Sequence, residues 1–173
     1  MLVYLGEDEP GGPADDRARQ SPPRLSVAGG GTGWENAASE PSVLLVEDDL
    51  SMQLLCKFNL EAAGFRVKTA STGQEGVVLA NSEQFDLVLL DVMLPDLGGF
   101  DVAEQLQGVP VVFISARTSA EDLVRGRAAG AIDYVTKPFD PVKLAERLRE
   151  DLAELARNGA DAVWEWRLGP AER

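Results

Sequence analysis

Short apolar runs alternate with longer amphipathic segments along most of the chain. The runs are four to six residues long and are bounded by polar or turn-forming residues, which is typical of strands buried on both faces. We therefore predict strands at 43–46, 65–69, 87–90, 109–114 and 132–135.

The segments between these runs predict helices, because apolar residues such as Leu54 and Phe58 recur in them at helical spacing. Thr72 and Glu75 have the form of a capping box, and Asp140 precedes a proline, which is a typical helix start. The predicted helices cover 51–63, 72–81, 100–107, 119–129 and a last segment from 141 onward.

Strands that alternate with helices of this length imply parallel pairing with right-handed crossovers. The expected fold class is α/β, a three-layer sandwich with a five-stranded parallel sheet and five helices. We place this domain at 42–157. The preceding segment, 1–41, is rich in glycine and proline and is expected to be a disordered tail. The last segment, 158–173, is expected to be a frayed tail or a small docking strand.

Composition narrows the classes of function. The chain has 29 acidic and 16 basic residues and a formal net charge of -13, which disfavours binding to a phosphate backbone, so no nucleic-acid partner is expected. It has no histidine, which excludes histidine-based triads and zinc-protease motifs. The single cysteine, the lack of a signal peptide and the lack of an apolar stretch of about 18 residues predict a cytoplasmic protein without a membrane span.

Polar residues of a particular kind follow the predicted strands. Glu47 and Asp48 follow the first strand, Asp91 the third, Ser115 the fourth and Lys137 the fifth. In a parallel sheet these residues lie at one edge, where carboxylates crowded together repel each other unless a cation joins them. Hard oxygen ligands favour Mg²⁺ or a similar ion. A carboxylate nucleophile, Mg²⁺, a lysine and a hydroxyl together suit phosphoryl transfer.

Four motifs occur in order: Val-Leu-Leu-Val-Glu-Asp-Asp at 43–49, Leu-Leu-Asp-Val-Met-Leu-Pro-Asp at 89–96, Phe-Ile-Ser-Ala at 113–116 and Gly-Ala-Ile-Asp-Tyr-Val-Thr-Lys-Pro-Phe at 130–139. Together they closely resemble the receiver domain of bacterial response regulators, over about residues 42–157. The resemblance implies a flavodoxin-like fold with strand order 2-1-3-4-5, which is taken from the family. The interval of 24 residues from Asp91 to Ser115 is short for the family, so we expect the third helix or its following loop to be trimmed.

The resemblance also implies a metal site. Asp91 resembles the phosphoacceptor, Asp48 a direct Mg²⁺ ligand and Glu47 a ligand through water. The backbone carbonyl of Met93 resembles a further ligand.

Other residues resemble the family's catalytic and switch groups. Lys137 resembles the cation that pairs with Asp91 or its phosphate, and the bond from Lys137 to Pro138 is expected to be cis. Ser115 resembles the hydroxyl that bonds the phosphoryl oxygen, and Tyr134 the aromatic switch that turns inward when Ser115 moves. The fourth helix, fifth strand and fifth helix would then report phosphorylation to a downstream protein partner.

The expected function is a phosphorylation-dependent switch in two-component signalling and not a turnover enzyme. Any phosphohistidine must come from a partner histidine kinase or phosphotransfer protein, because the chain has no histidine. One alternative is a Mg²⁺-dependent aspartyl phosphohydrolase, but such enzymes usually have a second aspartate two residues after the nucleophile, where this chain has Met93. The other alternative is a receiver-like interaction module that works without phosphorylation.

Overall fold

The computed structural model describes residues 40–168 except 107 and 118, and only the backbone of Trp166. Most of the predicted N-terminal tail, 1–39, lies outside the described residues. The strands are β1 (Ser42–Val46), β2 (Arg66–Ala70), β3 (Leu87–Asp91), β4 (Val111–Ser115) and β5 (Ala131–Thr136). The helices are α1 (Leu50–Ala62), α2 (Gly73–Ser82), α3 (Gly99–Gln105), α4 (Ala120–Ala128), α5 (Pro141–Asn158) and α6 (Ala160–Leu168).

The described strands form one parallel sheet in the order β2-β1-β3-β4-β5. This confirms the flavodoxin-like prediction. The register pairs Val46 with Leu90 and Asp91 with Ile114. The strands therefore end nearly level, and the polar residues that follow them share one edge.

The core lies on both faces of the sheet, as the continuous apolar runs predict. Val43 and Leu45 of β1 pack in a cluster with residues of α1 and α5. Leu44 and Val46 of the same strand pack in the opposite cluster, with residues of α2 and α3. Cys56 of α1 is fully buried in the first cluster, which confirms that it is a core residue.

Three of the helices, α1, α2 and α5, begin where the sequence supplies a capping side chain. Asp49 accepts a hydrogen bond from the Met52 N–H at 2.8 Å, just after the acids that follow β1. Thr72 accepts one from the Glu75 N–H at 3.2 Å. Asp140 accepts one from the Val142 N–H at 2.9 Å. Each cap satisfies an N–H that has no partner within its helix.

The C-terminal segment differs from the expectation of a frayed tail or docking strand, which is wrong for 160–168. These residues form α6, a sixth helix, with Val163 at 0% and Trp164 at 4% exposure. The alternating pattern around Trp164 resembles a strand, but burial of adjacent residues against the domain favours a helix, because packing overrides weak local preference. The α3 helix has seven residues, as the short interval before Ser115 predicts.

No helix among the described residues has both the length and the apolar character that a membrane crossing requires.

Candidate functional site

Three carboxylates converge at the carboxyl edge of the sheet. Glu47 and Asp48 follow β1 directly, and Asp91 is the last residue of β3. One carboxylate oxygen from each lies within 4.8 Å of the other two. Glu47 and Asp91 are buried, whereas Asp48 is exposed, so the cluster meets solvent on the side of Asp48.

The ammonium group of Lys137 lies between two of these carboxylates. Its Nζ donates to Asp91 Oδ2 at 2.6 Å and to Glu47 Oε2 at 2.7 Å. The backbone N–H of Lys137 donates to the Ser115 carbonyl at 2.8 Å, which attaches the loop after β5 to the end of β4. The bond from Lys137 to Pro138 is cis, as the resemblance implies. Three strand ends therefore meet at one cation.

Burial and ion pairing oppose each other at this site. Burial raises the pKa of Glu47, and the charge of Asp91 adds to that effect against the lowering influence of Lys137. Burial acts to lower the pKa of Lys137, but its hydrogen bonds with Asp91 and Glu47 outweigh burial and leave that pKa raised. One ammonium group thus faces three carboxyl groups, and a divalent cation would offset the remaining negative charge.

The loop after β3 holds the second oxygen of Asp91. Asp91 Oδ1 accepts a hydrogen bond from the Met93 N–H at 2.8 Å. Gly99 makes this loop possible, because a Cβ there would lie 2.3 Å from the Asp91 carbonyl oxygen and 2.7 Å from Val92 Cα. No side chain tolerates such contacts with backbone atoms. Glycine at this position therefore lets α3 begin directly against the end of β3.

Asp96 has a structural role that sequence reasoning missed. Its Oδ1 accepts from the Gly73 N–H at 2.9 Å and its Oδ2 from the Gln74 N–H at 3.0 Å. These hydrogen bonds lower the pKa of Asp96. The carboxylate therefore caps α2 from another part of the chain and attaches the β3–α3 loop to it. No local pattern signals this pairing, because its partners are 22 and 23 positions away.

Ser115 and Tyr134 lie inside the protein, and both contact the segment that follows β4. Ser115 is fully buried, and its Oγ accepts from the Arg117 N–H at 3.0 Å. Tyr134 is 2% exposed, and its hydroxyl donates to the Arg117 carbonyl at 2.8 Å. A displacement of this segment would therefore act on both side chains.

The fold and the site together define a flavodoxin-like α/β protein with an acid-and-lysine site at the carboxyl edge of its sheet. The chain belongs to the response regulator receiver domain family, whose profile matches residues 43–149. This membership favours the phosphorylation-dependent switch over both alternatives. Receiver domains are signalling switches and not turnover enzymes, and they typically bind Mg²⁺ through acidic residues.

Several similar proteins are transcriptional regulators. The regulatory protein KdpE of Mycobacterium tuberculosis is 41% identical over 126 residues, which are 71% of this chain and 54% of KdpE. PhoP of Bacillus subtilis, which regulates alkaline phosphatase synthesis, is 40% identical over 111 residues, or 62% of this chain and 46% of PhoP. The chain thus spans about half the length of the curated relatives it matches. Since these relatives regulate transcription, the expected absence of a nucleic-acid partner stays a prediction.

Solved receiver domains share the fold. A CheY-like receiver domain protein from Methanospirillum hungatei JF-1 has a TM-score of 0.66 and 33% identity, and the match covers 70% of this chain and 100% of that one. The beryllofluoride-activated DrrB receiver domain, from a Thermotoga maritima regulator, has a TM-score of 0.60 and 33% identity, covering 66% and 98%.

Proposed function

We propose that Asp91 accepts the phosphoryl group through which this domain acts as a signalling switch. The donor is a phosphohistidine on a partner sensor kinase or phosphotransfer protein. The observation that carries the proposal is the pair of hydrogen bonds from Lys137 Nζ to Asp91 and Glu47, at 2.6 and 2.7 Å. These bonds bring a buried carboxylate, a cation and a second acid together, which is the arrangement that aspartyl phosphorylation requires.

The transfer proceeds by displacement at phosphorus. A carboxylate oxygen of Asp91 forms a bond to phosphorus, while the bond from phosphorus to the donor's imidazole nitrogen breaks and the nitrogen keeps the electron pair. Lys137 offsets negative charge on the transferred group, and the Ser115 hydroxyl donates to one of its oxygens. The resulting acyl phosphate is later lost when a water oxygen attacks phosphorus, which releases inorganic phosphate and restores the Asp91 carboxylate.

The residues present fit a Mg²⁺ ion. Carboxylate oxygens of Glu47, Asp48 and Asp91 lie within 4.8 Å of one another, and oxygen donors of this kind suit Mg²⁺. In our proposal Asp48 and Asp91 would hold the ion directly, Glu47 would hold it through water, and the Met93 carbonyl would be a further ligand. When bound, the ion supplies positive charge that stabilises the phosphoryl oxygens.

The proposed switch runs through the segment after β4. When the Ser115 hydroxyl turns to the phosphoryl group, its hydrogen bond with the Arg117 N–H, now 3.0 Å long, is lost. The same segment holds the Tyr134 hydroxyl through the Arg117 carbonyl. Phosphorylation at Asp91 is thereby transmitted to the surface formed by α4, β5 and α5.

We further propose that the donor protein docks on α1. Leu50, Leu54 and Phe58 lie four residues apart, so they share one face of the helix. Their exposed fractions are 64%, 65% and 72%. An exposed apolar row of this kind marks an interaction surface. It starts beside the acid cluster, which would bring a phosphohistidine held on α1 close to Asp91.

The phosphoacceptor is tested with a small phosphodonor and Mg²⁺. Incubation with acetyl phosphate should add the mass of one phosphoryl group to the intact protein, in a form that hydroxylamine removes. Asp91→Asn should abolish the gain, whereas Asp101→Asn, at an exposed position on α3, should keep it. Retention of the gain by Asp91→Asn would exclude Asp91 as the acceptor.

The docking surface needs a phosphohistidine-bearing protein as donor. Phe58→Ser should slow transfer from that protein at least fivefold and leave phosphorylation by acetyl phosphate unchanged. Val78→Ser on α2, where valine is 57% exposed, is the matched control and should change neither rate. Equal slowing with both donors would show that Phe58 acts on the site and not on docking.

A further inference from the structure

The α6 helix covers the free edge of the sheet. Its residues Val163 and Trp164 are 0% and 4% exposed. Val163 packs with the core cluster on the α1 and α5 face, whereas Trp164 packs with the cluster on the α2 and α3 face. Two adjacent residues of one helix can pack on opposite faces of the sheet only if the helix lies over an edge of the sheet. That edge is β5, the last strand in the sheet order. The helix therefore covers the unpaired backbone groups of an edge strand.

On one side α6 is attached to α5. Arg167 of α6 donates to Asp151 Oδ1 at 2.7 Å, to Glu150 Oε2 at 2.9 Å and to the Arg147 carbonyl at 3.1 Å. Arg147 in turn donates to both oxygens of Asp133 on β5, at 2.5 and 2.7 Å. We call Asp133, Asp151, Arg147 and Arg167 the acid–arginine cluster. Both of its acids are fully buried, so it joins α5, α6 and β5 through desolvated ion pairs.

On the other side α6 is attached to α4. The guanidinium of Arg127 lies 5.7 Å from the Trp164 ring centre, which is within reach of a cation–π contact. The same group pairs with Asp161 of α6 at 3.5 Å. One short helix thus contacts both helices that border β5, and a displacement of α4 relative to α5 has to break these contacts or carry α6 with it.

The ring of Tyr134 lies beneath this cover. Tyr134 is buried in the same cluster as Trp164. A Cβ added at Gly126 of α4 would lie 3.3 Å from the Tyr134 ring, so the ring fits closely between α4 and the sheet. Because α6 packs on β5, the edge strand that carries Tyr134, a ring that turned outward over that edge would meet α6. The docked helix and the inward ring are therefore compatible, whereas the docked helix and an outward ring compete.

We propose that α6 is an intramolecular latch that holds Tyr134 inward, so that α6 docking and phosphorylation of Asp91 stabilise the same state. The inference rests on the proposed function and adds that phosphorylation stabilises the inward position of Tyr134. Coupling of this kind is reciprocal: a latch that favours the inward ring strengthens phosphoryl binding at Asp91, and phosphorylation tightens the latch.

The test compares latch variants for binding of a phosphoryl analogue. Beryllofluoride with Mg²⁺ is titrated by calorimetry into the full chain, Trp164→Ala and the matched control Glu165→Ala, whose position is exposed on α6. Allosteric couplings commonly change affinity by about 5- to 150-fold. We expect Trp164→Ala to weaken beryllofluoride binding at least fivefold and Glu165→Ala to leave it unchanged. Equal binding by Trp164→Ala, or tighter binding, would overturn the latch.

Two additions keep the result decisive. Arg127→Gln removes the contact with Trp164 and the pair with Asp161 while leaving the buried residues of α6 intact. It serves as the test variant if Trp164→Ala does not fold, and it should also weaken beryllofluoride binding. Hydrogen exchange of α4 should accelerate in Trp164→Ala but not in Glu165→Ala, and unchanged exchange would also overturn the latch. If the unaltered chain does not bind beryllofluoride, the proposed function fails, and the exchange result then judges α6 separately.

Discussion

Replacement of Lys137 by methionine tests the electrostatics of the site directly. Lys137 Nζ bonds two carboxylates whose side chains are 1% and 6% exposed, and the lysine side chain itself is 20% exposed. Methionine keeps much of the stem and removes the charge. Removing one partner of a buried ion pair typically costs about 3–5 kcal/mol, because the remaining charge stays desolvated. We expect Lys137→Met to lower the free energy of unfolding by about 3 kcal/mol in EDTA.

Magnesium should recover part of that loss. Two like unit charges about 4 Å apart repel each other by about 1 kcal/mol in water and by about 4 kcal/mol at an effective dielectric constant of 20. The ammonium group of Lys137 would repel a bound Mg²⁺ ion in this way. Without the ammonium group the three carboxylates therefore bind Mg²⁺ more tightly. At saturating Mg²⁺ the difference in stability between Lys137→Met and the unaltered chain should narrow by at least about 1 kcal/mol, since the ion stabilises the variant more.

The assay is urea unfolding followed by circular dichroism, in EDTA and at several Mg²⁺ concentrations. Lys143→Met, at an exposed position on α5, is the matched control and should change stability by less than about 0.5 kcal/mol in both buffers. Equal stability of Lys137→Met and the unaltered chain in EDTA, or the same difference with and without Mg²⁺, would refute this role of the Lys137 charge.

Three further predictions concern other parts of the fold. Asp96→Ala removes the hydrogen bonds that the Gly73 and Gln74 N–H groups donate at the start of α2, while the Thr72 cap remains. It should lower the free energy of unfolding by about 0.5–2 kcal/mol in urea titrations, and an unchanged stability would contradict a capping role. Gly99→Ala should abolish phosphorylation by acetyl phosphate, because the added Cβ would lie 2.3 Å from the Asp91 carbonyl oxygen; normal incorporation would show that the loop can move aside. Burial, then the charge of Asp133, raises the pKa of Asp151 to about 7. Its contribution to stability is present below about pH 4 and is lost as the pH rises through about 7. Asp151→Asn should flatten that decline in pH-dependent unfolding, and an unaltered slope would assign the decline to other groups.

The sheet could be predicted from the sequence because each of its strands is recognisable from its own run of apolar residues. The runs around Val43 and Leu87 are apolar throughout and end on acids, and both are central strands. The observed bounds of the strands differ from the predicted ones by a residue or two where hydrogen bonding to another strand decides where a strand begins. The strand predicted at 109–114 begins at Val111, because Pro110 has no N–H to donate to the ladder, although its carbonyl accepts from the Val88 N–H of β3 at 2.8 Å.

The convergence of Glu47, Asp48, Asp91 and Lys137 was predictable for the same reason, since parallel pairing places every strand end on one edge. Contacts between distant side chains were not predictable. Asp133 lies within an apolar strand, and its pairing with Arg147 of α5 at 2.5 Å, together with a hydrogen bond from the Tyr134 N–H at 2.7 Å, makes a buried charge tolerable there. The α6 helix was not predicted because its buried residues pack in core clusters that consist mostly of residues from other strands and helices.

The single cysteine offers a way to observe rare opening events. Cys56 has no exposed surface, and burial raises the pKa of its thiol to about 11. The thiolate is the form that attacks thiol reagents, so the folded chain should resist them almost completely. Labelling should proceed only through molecules in which α1 has separated from the sheet. The rate at which a disulfide reagent modifies Cys56 would therefore measure how often α1 separates from the sheet, without any engineered probe.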